Sequence, residues 1–182
     1  IGVTHARDGH ALVLTVSLND NGDLLAIVER VRRMFDLDAN MAVIHAVLSR
    51  DPLLAARIAR RPGLRLPGSW DPFETAIRAV VGQQVSVKGA RTIMGRLVAR
   101  AGQRYASEDA SALTHWFPDA AELTTACLEG IGMPARRAET LHSLSAAVAK
   151  GGISLEVRDG LPDFVSRLKA VKGIGDWTAQ YM

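Results

Sequence analysis

The stretch Leu168-Lys169-Ala170-Val171-Lys172-Gly173-Ile174-Gly175-Asp176-Trp177-Thr178-Ala179 decides how this chain is read. An apolar helical run leads into Val171. A Gly173-Ile174-Gly175 turn follows, and Asp176-Trp177-Thr178 starts a second helix. Two short helices joined by a glycine-bracketed apolar residue predict a helix-hairpin-helix. Its glycines let backbone N–H groups approach a ligand with no Cβ in the way, and the second helix offers a positive N-terminus. Lys172 sets a cation beside the turn. Such a unit grips a phosphate by shape and charge and reads no base sequence.

Working outward, Pro162 opens the helix that feeds this hairpin, with Phe164, Val165, Leu168 and Val171 on its apolar side. Arg136 to Ala149 reads as another helix, stopped by Gly151-Gly152. Before it, Leu128-Glu129-Gly130-Ile131-Gly132-Met133-Pro134 repeats the Gly-Ile-Gly core. Pro134 and its neighbour leave that turn fewer free N–H groups, so it reads as structural. Pro118-Asp119 opens a short helix to about Ala126, and residues 103–115 read as irregular. Ser86 caps a helix over Val87–Ala101, and Gly102 ends it. Asp71-Pro72 starts a helix carrying Phe73, Ile77, Val80 and Val81, which breaks at Gly82-Gln83-Gln84.

Further upstream the pattern changes. Leu12, Leu14, Val16 and Leu18 alternate as a half-buried strand does, and Ile1 to His5 can pair with it across Asp8-Gly9. Asn19-Asp20-Asn21-Gly22 is a turn cluster. Leu24, Val28, Val31 and Phe35 follow helical spacing with Asp23 near the start. Asn40 caps a helix to about Leu48, and Pro52 opens another. The two Pro-Gly breaks in Arg61-Pro62-Gly63-Leu64-Arg65-Leu66-Pro67-Gly68 mark a linker. The expected division is an α/β part over residues 1–62 and a helical domain over 63–182, with the boundary anywhere in 40–66.

Bulk properties exclude several classes. Apolar residues make up 48% and charged residues 23% of the 182 residues, an ordinary globular balance. No apolar run approaches membrane-spanning length. A lone Cys127 argues against a disulfide framework or thiolate metal site and fits a reducing compartment. The five histidines have no ligand spacing. Net charge is only +3, so distribution matters more than total. Lys88, Arg91, Arg96, Arg100 and Arg104 fall in a stretch without an acid. They form either a backbone-tracking surface or an ordinary solvated helix face.

Three blocks occur in order: Asp71-Pro72-Phe73-Glu74 with Gly82-Gln83-Gln84-Val85-Ser86; Gly130-Ile131-Gly132-Met133-Pro134; and Val171 through Tyr181. Together they resemble the 3-methyladenine DNA glycosylase II family of alkylation repair, within the helix-hairpin-helix DNA glycosylase superfamily. The resemblance implies a mostly α fold with a small N-terminal α/β part, incomplete at both ends. It implies a monomeric, cytoplasmic, nucleoid-associated enzyme of bacterial type, working on double-stranded DNA with alkylated bases and needing no cofactor. Such an enzyme flips a damaged nucleotide into an aromatic pocket and hydrolyses its N-glycosidic bond.

By that resemblance Trp177 and Tyr181, one helical turn apart, are the base-pocket aromatics; the alternative is that both are core. A cationic alkylpurine stacked on them would gain a cation–π term. Gln83 and Gln84 match the turn that fills the gap left by the flipped base; the alternative is an exposed polar turn. Lys172, Gly173, Gly175, Thr178 and Ser86 are the expected DNA-backbone contacts. Members of the family often hold a monovalent cation, Na+ or K+, on backbone carbonyls, which here are those of Lys169, Val171 and Gly173. The family aspartate lies downstream of the second hairpin helix, so no catalytic residue is expected in this chain, and the chain alone is expected to be inactive. Asp176 reads as a cap or dipole partner. Two other readings stay open: a non-catalytic helix-hairpin-helix DNA-binding module, and the glycosylase-like part of a fused adaptive-response regulator. Oxidised-base relatives typically carry a lysine nucleophile in the second hairpin helix, and Asp176-Trp177-Thr178-Ala179-Gln180-Tyr181 has none.

Overall fold

The computed structural model describes residues 1–9, 11–17, 23–105, 113–156 and 160–182. His10, Leu18 and the expected turn at residues 19–22 lie outside them. Two compact units divide the chain, Ile1–Trp70 and Asp71–Met182. Among the described residues no helix is long and apolar enough to cross a membrane.

In the first unit, β1 (Gly2–His5) pairs antiparallel with β2 (Leu12–Thr15), in register from Gly2↔Thr15 to His5↔Leu12. Leu12 and Leu14 are half-buried while Val13 and Thr15 are exposed, as the alternation predicts. α1 (Leu24–Met34) follows, with Val31 buried. Asp23 has helical backbone angles and its side chain makes no cap bond, so its place at the helix start is not a capping one. α2 (Met41–Leu48) is capped by Asn40, which accepts from Val43 N, and α3 (Pro52–Arg60) by Asp51.

The linker expected around the two Pro-Gly breaks, up to Gly68, belongs to this unit. Arg65 donates to the Asp36 carbonyl, and Gly68 N donates to Met34 O at 3.0 Å. A Cβ on Gly68 would sit 2.6 Å from Arg33 O, so only glycine fits there. Arg30 lies 5.3 Å over the Trp70 ring. These ties run back onto the end of α1, and they move the division from residue 62 to Trp70.

The second unit is helical: α4 (Pro72–Val81), α5 (Val87–Ala101), α6 (Ala120–Thr125), α7 (Ala135–Ala149), α8 (Leu161–Lys169) and α9 (Asp176–Tyr181). Asp71 caps α4 with Pro72 behind it, Ser86 caps α5, and Asp119 and Glu122 form a reciprocal capping box on α6. α4 is the central element. Phe73, Ala76, Ile77, Ala79, Val80 and Val81 are all buried, among Leu97, Leu123, Leu141, Leu144 and Leu168. Each large aliphatic chain buried this way contributes roughly 1.5–3 kcal/mol.

One expectation for this unit gains a cause and another changes. Gly102 ends α5, in an extended conformation. It is glycine because a Cβ would run into the Trp116 and Val98 carbonyls. Residues 103–115 are not wholly irregular: Arg104 and His115 bridge antiparallel, with Tyr105 N donating to Thr114 O and Trp116 N to Gln103 O. The Tyr105 and Trp116 rings meet edge-on at 4.7 Å.

The terminal hairpin is built inward. Val171 and Ile174 are buried, and Ile174 N donates to Val171 O at 3.1 Å. Gly173 has φ +95°, and a Cβ there would land on the Thr140 hydroxyl of α7. Gly175 differs: its backbone is extended and nothing lies within 4 Å of where a Cβ would go. Gly173→Ala is therefore expected to lower stability by more than about 2 kcal/mol in urea denaturation. Gly175→Ala should cost under about 1 kcal/mol.

Candidate functional site

The hairpin and the α4–α5 turn meet at one place. α4 ends at Gly82, α5 begins at Val87, and α9 packs against α4. Between them lies a cavity of about 330 Å³, within the size range of small-molecule sites. Its walls come from Arg78, Ala79 and Gly82, from Val85, Val87, Ala90, Arg91 and Met94, and from Trp177 and Tyr181.

Trp177 and Tyr181 are 66% and 61% exposed, so neither ring belongs to the core. The rings stack 5.5 Å apart with their planes 15° from parallel. They are four residues apart on a helix whose buried side carries Thr178 and Ala179. That phase turns one face inward and leaves the two rings together on the other. Offset stacking of this kind suits π-systems and offers a flat, electron-rich wall to a third ring.

Cations border this wall. Arg78 Nε donates to Glu74 Oε1 at 2.7 Å one turn earlier in α4. Arg91 is exposed, and among the described residues it makes no hydrogen bond or ion pair. The Lys88 ammonium is likewise exposed and, among the described residues, unpaired; only its backbone carbonyl is engaged, accepting from Thr92 Oγ1 at 3.0 Å. Arg96 and Arg100 are committed elsewhere: Arg96 donates to Ile131 O at 3.2 Å, and Arg100 to Cys127 O and Glu129 O at 3.3 and 3.4 Å. They clamp the inner Gly130-Ile131-Gly132 turn onto α5. The acid-free stretch thus divides into free cations near the cavity and structural ones further along.

The two glutamines also separate. Gln84 is exposed and sits at φ +54°, a left-handed backbone uncommon for a residue with a side chain. Gln83 is half-buried, and its Nε2 donates to Thr178 Oγ1 at 2.8 Å. Gln83 is therefore tied down, and Gln84 is the exposed member of the pair. Thr178 is corrected by the same bond. At 4% exposure its hydroxyl is turned into the protein, not toward an outer phosphate. Nothing in the one-dimensional pattern pairs residues 83 and 178; a buried threonine at the third position of a short helix was the only available signal.

Ser86 Oγ accepts from Gly89 N at 3.1 Å as the cap of α5, which leaves its O–H free to donate. Lys172 is exposed, 3.7 Å from the Glu139 carboxylate. Asp176 is exposed and pairs with Lys169 Nζ at 2.5 Å, and it does not line the cavity. Among the described lining residues there is no Asp or Glu.

The left-handed backbone at Gln84 costs about 1–2 kcal/mol relative to glycine in the same conformation. Part of that is offset by glycine's greater freedom in the unfolded chain. Gln84→Gly is thus expected to leave stability unchanged or raise it by up to about 1 kcal/mol in urea denaturation. Gln84→Val should lower it. That pair of results would mark a position kept for its side chain and not for its backbone.

Residues 1–71 match the family model described as AlkA N-terminal domain. The chain is 38% identical over 180 residues to a Mycobacterium tuberculosis (strain CDC 1551 / Oshkosh) protein described as a probable bifunctional transcriptional activator/DNA repair enzyme AlkA, covering 99% of this chain and 36% of that protein. It is 34% identical over 175 residues to DNA-3-methyladenine glycosylase 2 of Escherichia coli (strain K12), covering 94% of this chain and 59% of the relative. The chain therefore spans well under two thirds of either relative. Among solved structures, 3-methyladenine DNA glycosylase from Archaeoglobus fulgidus superposes with a TM-score of 0.77 at 21% identity, over 98% of this chain and 61% of that one. Identity that low speaks to the fold, which is that of the helix-hairpin-helix DNA glycosylases. Sequence blocks, N-terminal match and architecture agree: residues 1–71 match the AlkA N-terminal domain, and the chain as a whole is similar to DNA-3-methyladenine glycosylases.

Proposed function

We propose that this chain carries the DNA-gripping and base-flipping part of a monofunctional glycosylase that removes alkylated, 3-methyladenine-type purines from duplex DNA. The observation that carries the reading is the exposed, stacked Trp177–Tyr181 pair, with ring planes nearly parallel, against a cavity of about 330 Å³, with Gln84 exposed on the adjoining turn. Two large rings stacked in the open beside a cavity form the kind of exposed apolar surface on which a ligand lies. A flipped purine is flat, and an alkylated one is cationic. The ring faces attract it by a cation–π term of roughly 0.5–2 kcal/mol that an undamaged base lacks. Unstacking a damaged base also costs less. The two effects favour the same substrate.

Around this centre, Gln84 is the wedge that fills the gap in the duplex and can hydrogen-bond to the orphaned partner base. The exposed backbone at Gly173 and Gly175, with Lys172, Lys88 and Arg91, tracks the phosphates, and Ser86 donates its hydroxyl to one. The carbonyls of Lys169, Val171 and Gly173 have the donor chemistry of a hard cation site. Val171 O accepts only Ile174 N in the hairpin, which leaves one lone pair. A bound Na+ or K+ there would add positive charge beside a DNA phosphate.

Hydrolysis needs a carboxylate near the anomeric carbon to stabilise an oxocarbenium-like transition state. Asp176 is held by Lys169 away from the cavity, so the proposal takes that group from outside these 182 residues. No lysine lines the cavity among the described residues, which supports plain hydrolysis over a Schiff-base route. A second reading, the repair module of a fused regulator, is favoured by the relative whose length this chain covers to 36%.

The 182-residue chain is expected to bind a duplex with an abasic-site analogue more tightly than an undamaged duplex. Trp177→Ala and Tyr181→Ala should each weaken capture of a flipped alkylpurine by about 1–3 kcal/mol in titrations with duplex containing that base. The chain should release no methylated purine from alkylated DNA. Release that disappears in Asp176→Asn would overturn the exclusion of Asp176.

A further inference from the structure

We infer that Gln83 is a positioning residue: its hydrogen bond to Thr178 fixes the wedge turn against the helix that carries the aromatic wall. The inference rests on the base-flipping reading and adds to it the device that keeps the two halves of the site in register.

The bond joins residues 95 apart in sequence at 2.8 Å, and Thr178 is almost wholly shielded from water. Its ends are well placed. Gln83 follows the last residue of α4 by two and precedes Gln84. Thr178 follows Trp177 and lies three residues before Tyr181, on the inward face of the same turn. Other restraint on the Gln84 turn is slight. Gln83 N reaches Val80 O at 3.3 Å and Val85 N reaches Gly82 O at 3.5 Å, both at the long end of hydrogen bonding. Gln84 nevertheless keeps a left-handed backbone that its own sterics disfavour. A conformation of that kind persists when its surroundings over-determine it, and the Gln83 side chain supplies such a restraint.

Function gives the bond its purpose. The wedge must occupy the vacated place in the duplex while the flipped base lies on Trp177 and Tyr181. Both ends belong to one nucleotide position, so the distance between wedge and wall has a set value. A turn free to drift would still touch DNA and still carry its cations. It would lose the simultaneous fit. Thr178→Val keeps the shape of the side chain and removes the acceptor, and Gln83→Met keeps its length and removes the donor.

The test uses the 182-residue chain and a duplex with 2-aminopurine beside a tetrahydrofuran abasic analogue, whose fluorescence rises when the neighbouring stack opens. Gln83→Met and Thr178→Val should each lower the preference for abasic over undamaged duplex five- to tenfold, with a smaller fluorescence rise at saturation. Affinity for undamaged duplex and its salt dependence should stay within twofold of the parent, since phosphate contacts set them. The double variant should lose no more than either single one, as expected for one shared interaction, and Thr178→Ser should restore the parent's behaviour. Losses that add in the double variant, that track a falling Tm, or that hit both duplexes equally would overturn the inference, as would parent-like discrimination in both single variants. A parent chain that neither prefers the abasic duplex nor opens the stack would overturn the base-flipping reading and this inference with it.

Discussion

Burial of α4 is the constraint on which the rest of the helical unit depends. Ile77, Val80 and Val81 have no access to water, and α5, α7 and α9 pack on the same helix. A helix buried on that scale cannot shift without opening the core. Its C-terminal end is thereby fixed, and the Gly82–Ser86 turn starts from a rigid point. Arg78 and Ala79, on the last turns of α4, become cavity wall for the same reason. The site is the place where the most buried helix reaches the surface.

The hairpin glycines divide the work that a motif description gives them jointly. Gly173 is demanded from inside, by its positive φ and by the Thr140 hydroxyl behind it. Gly175 is demanded by nothing in the fold, and its outer face is bare. The absence of a side chain there leaves the backbone open to an approaching ligand. A similar division runs through the basic residues of α5. Arg96 and Arg100 spend donors on carbonyls of the inner Gly-Ile-Gly loop, while the side chains of Lys88 and Arg91 have no partner among the described residues.

Local signals carried much of this into the sequence. Asn40, Asp71, Ser86 and Asp119 all cap the helices their positions announce, because a cap is settled within four residues. The strand pair and the hairpin were legible for the same reason. Gly102 was legible as a stop but not as to cause: a left-handed cap and a close carbonyl contact both select glycine. The division at Trp70 was hidden, since Pro-Gly breaks read as a linker whether or not the segment packs back on its neighbours. The Arg104–His115 bridge was hidden because one rung of sheet has no periodicity to detect.

The sequence by itself determined the helices and their ends, the two glycine turns, the spacing that puts Trp177 and Tyr181 on one helix face, and the family blocks that give the chain its kinship. All of these depend on residues near one another along the chain. Only the tertiary structure decided that the two rings lie outside the core and stack, that Gln84 is exposed while Gln83 turns back to Thr178, and that Asp176 pairs with Lys169 and stays out of the cavity wall. Those outcomes rest on which helix packs on which. Contacts between residues 95 apart are set by the closure of the whole core and leave no trace in local spacing.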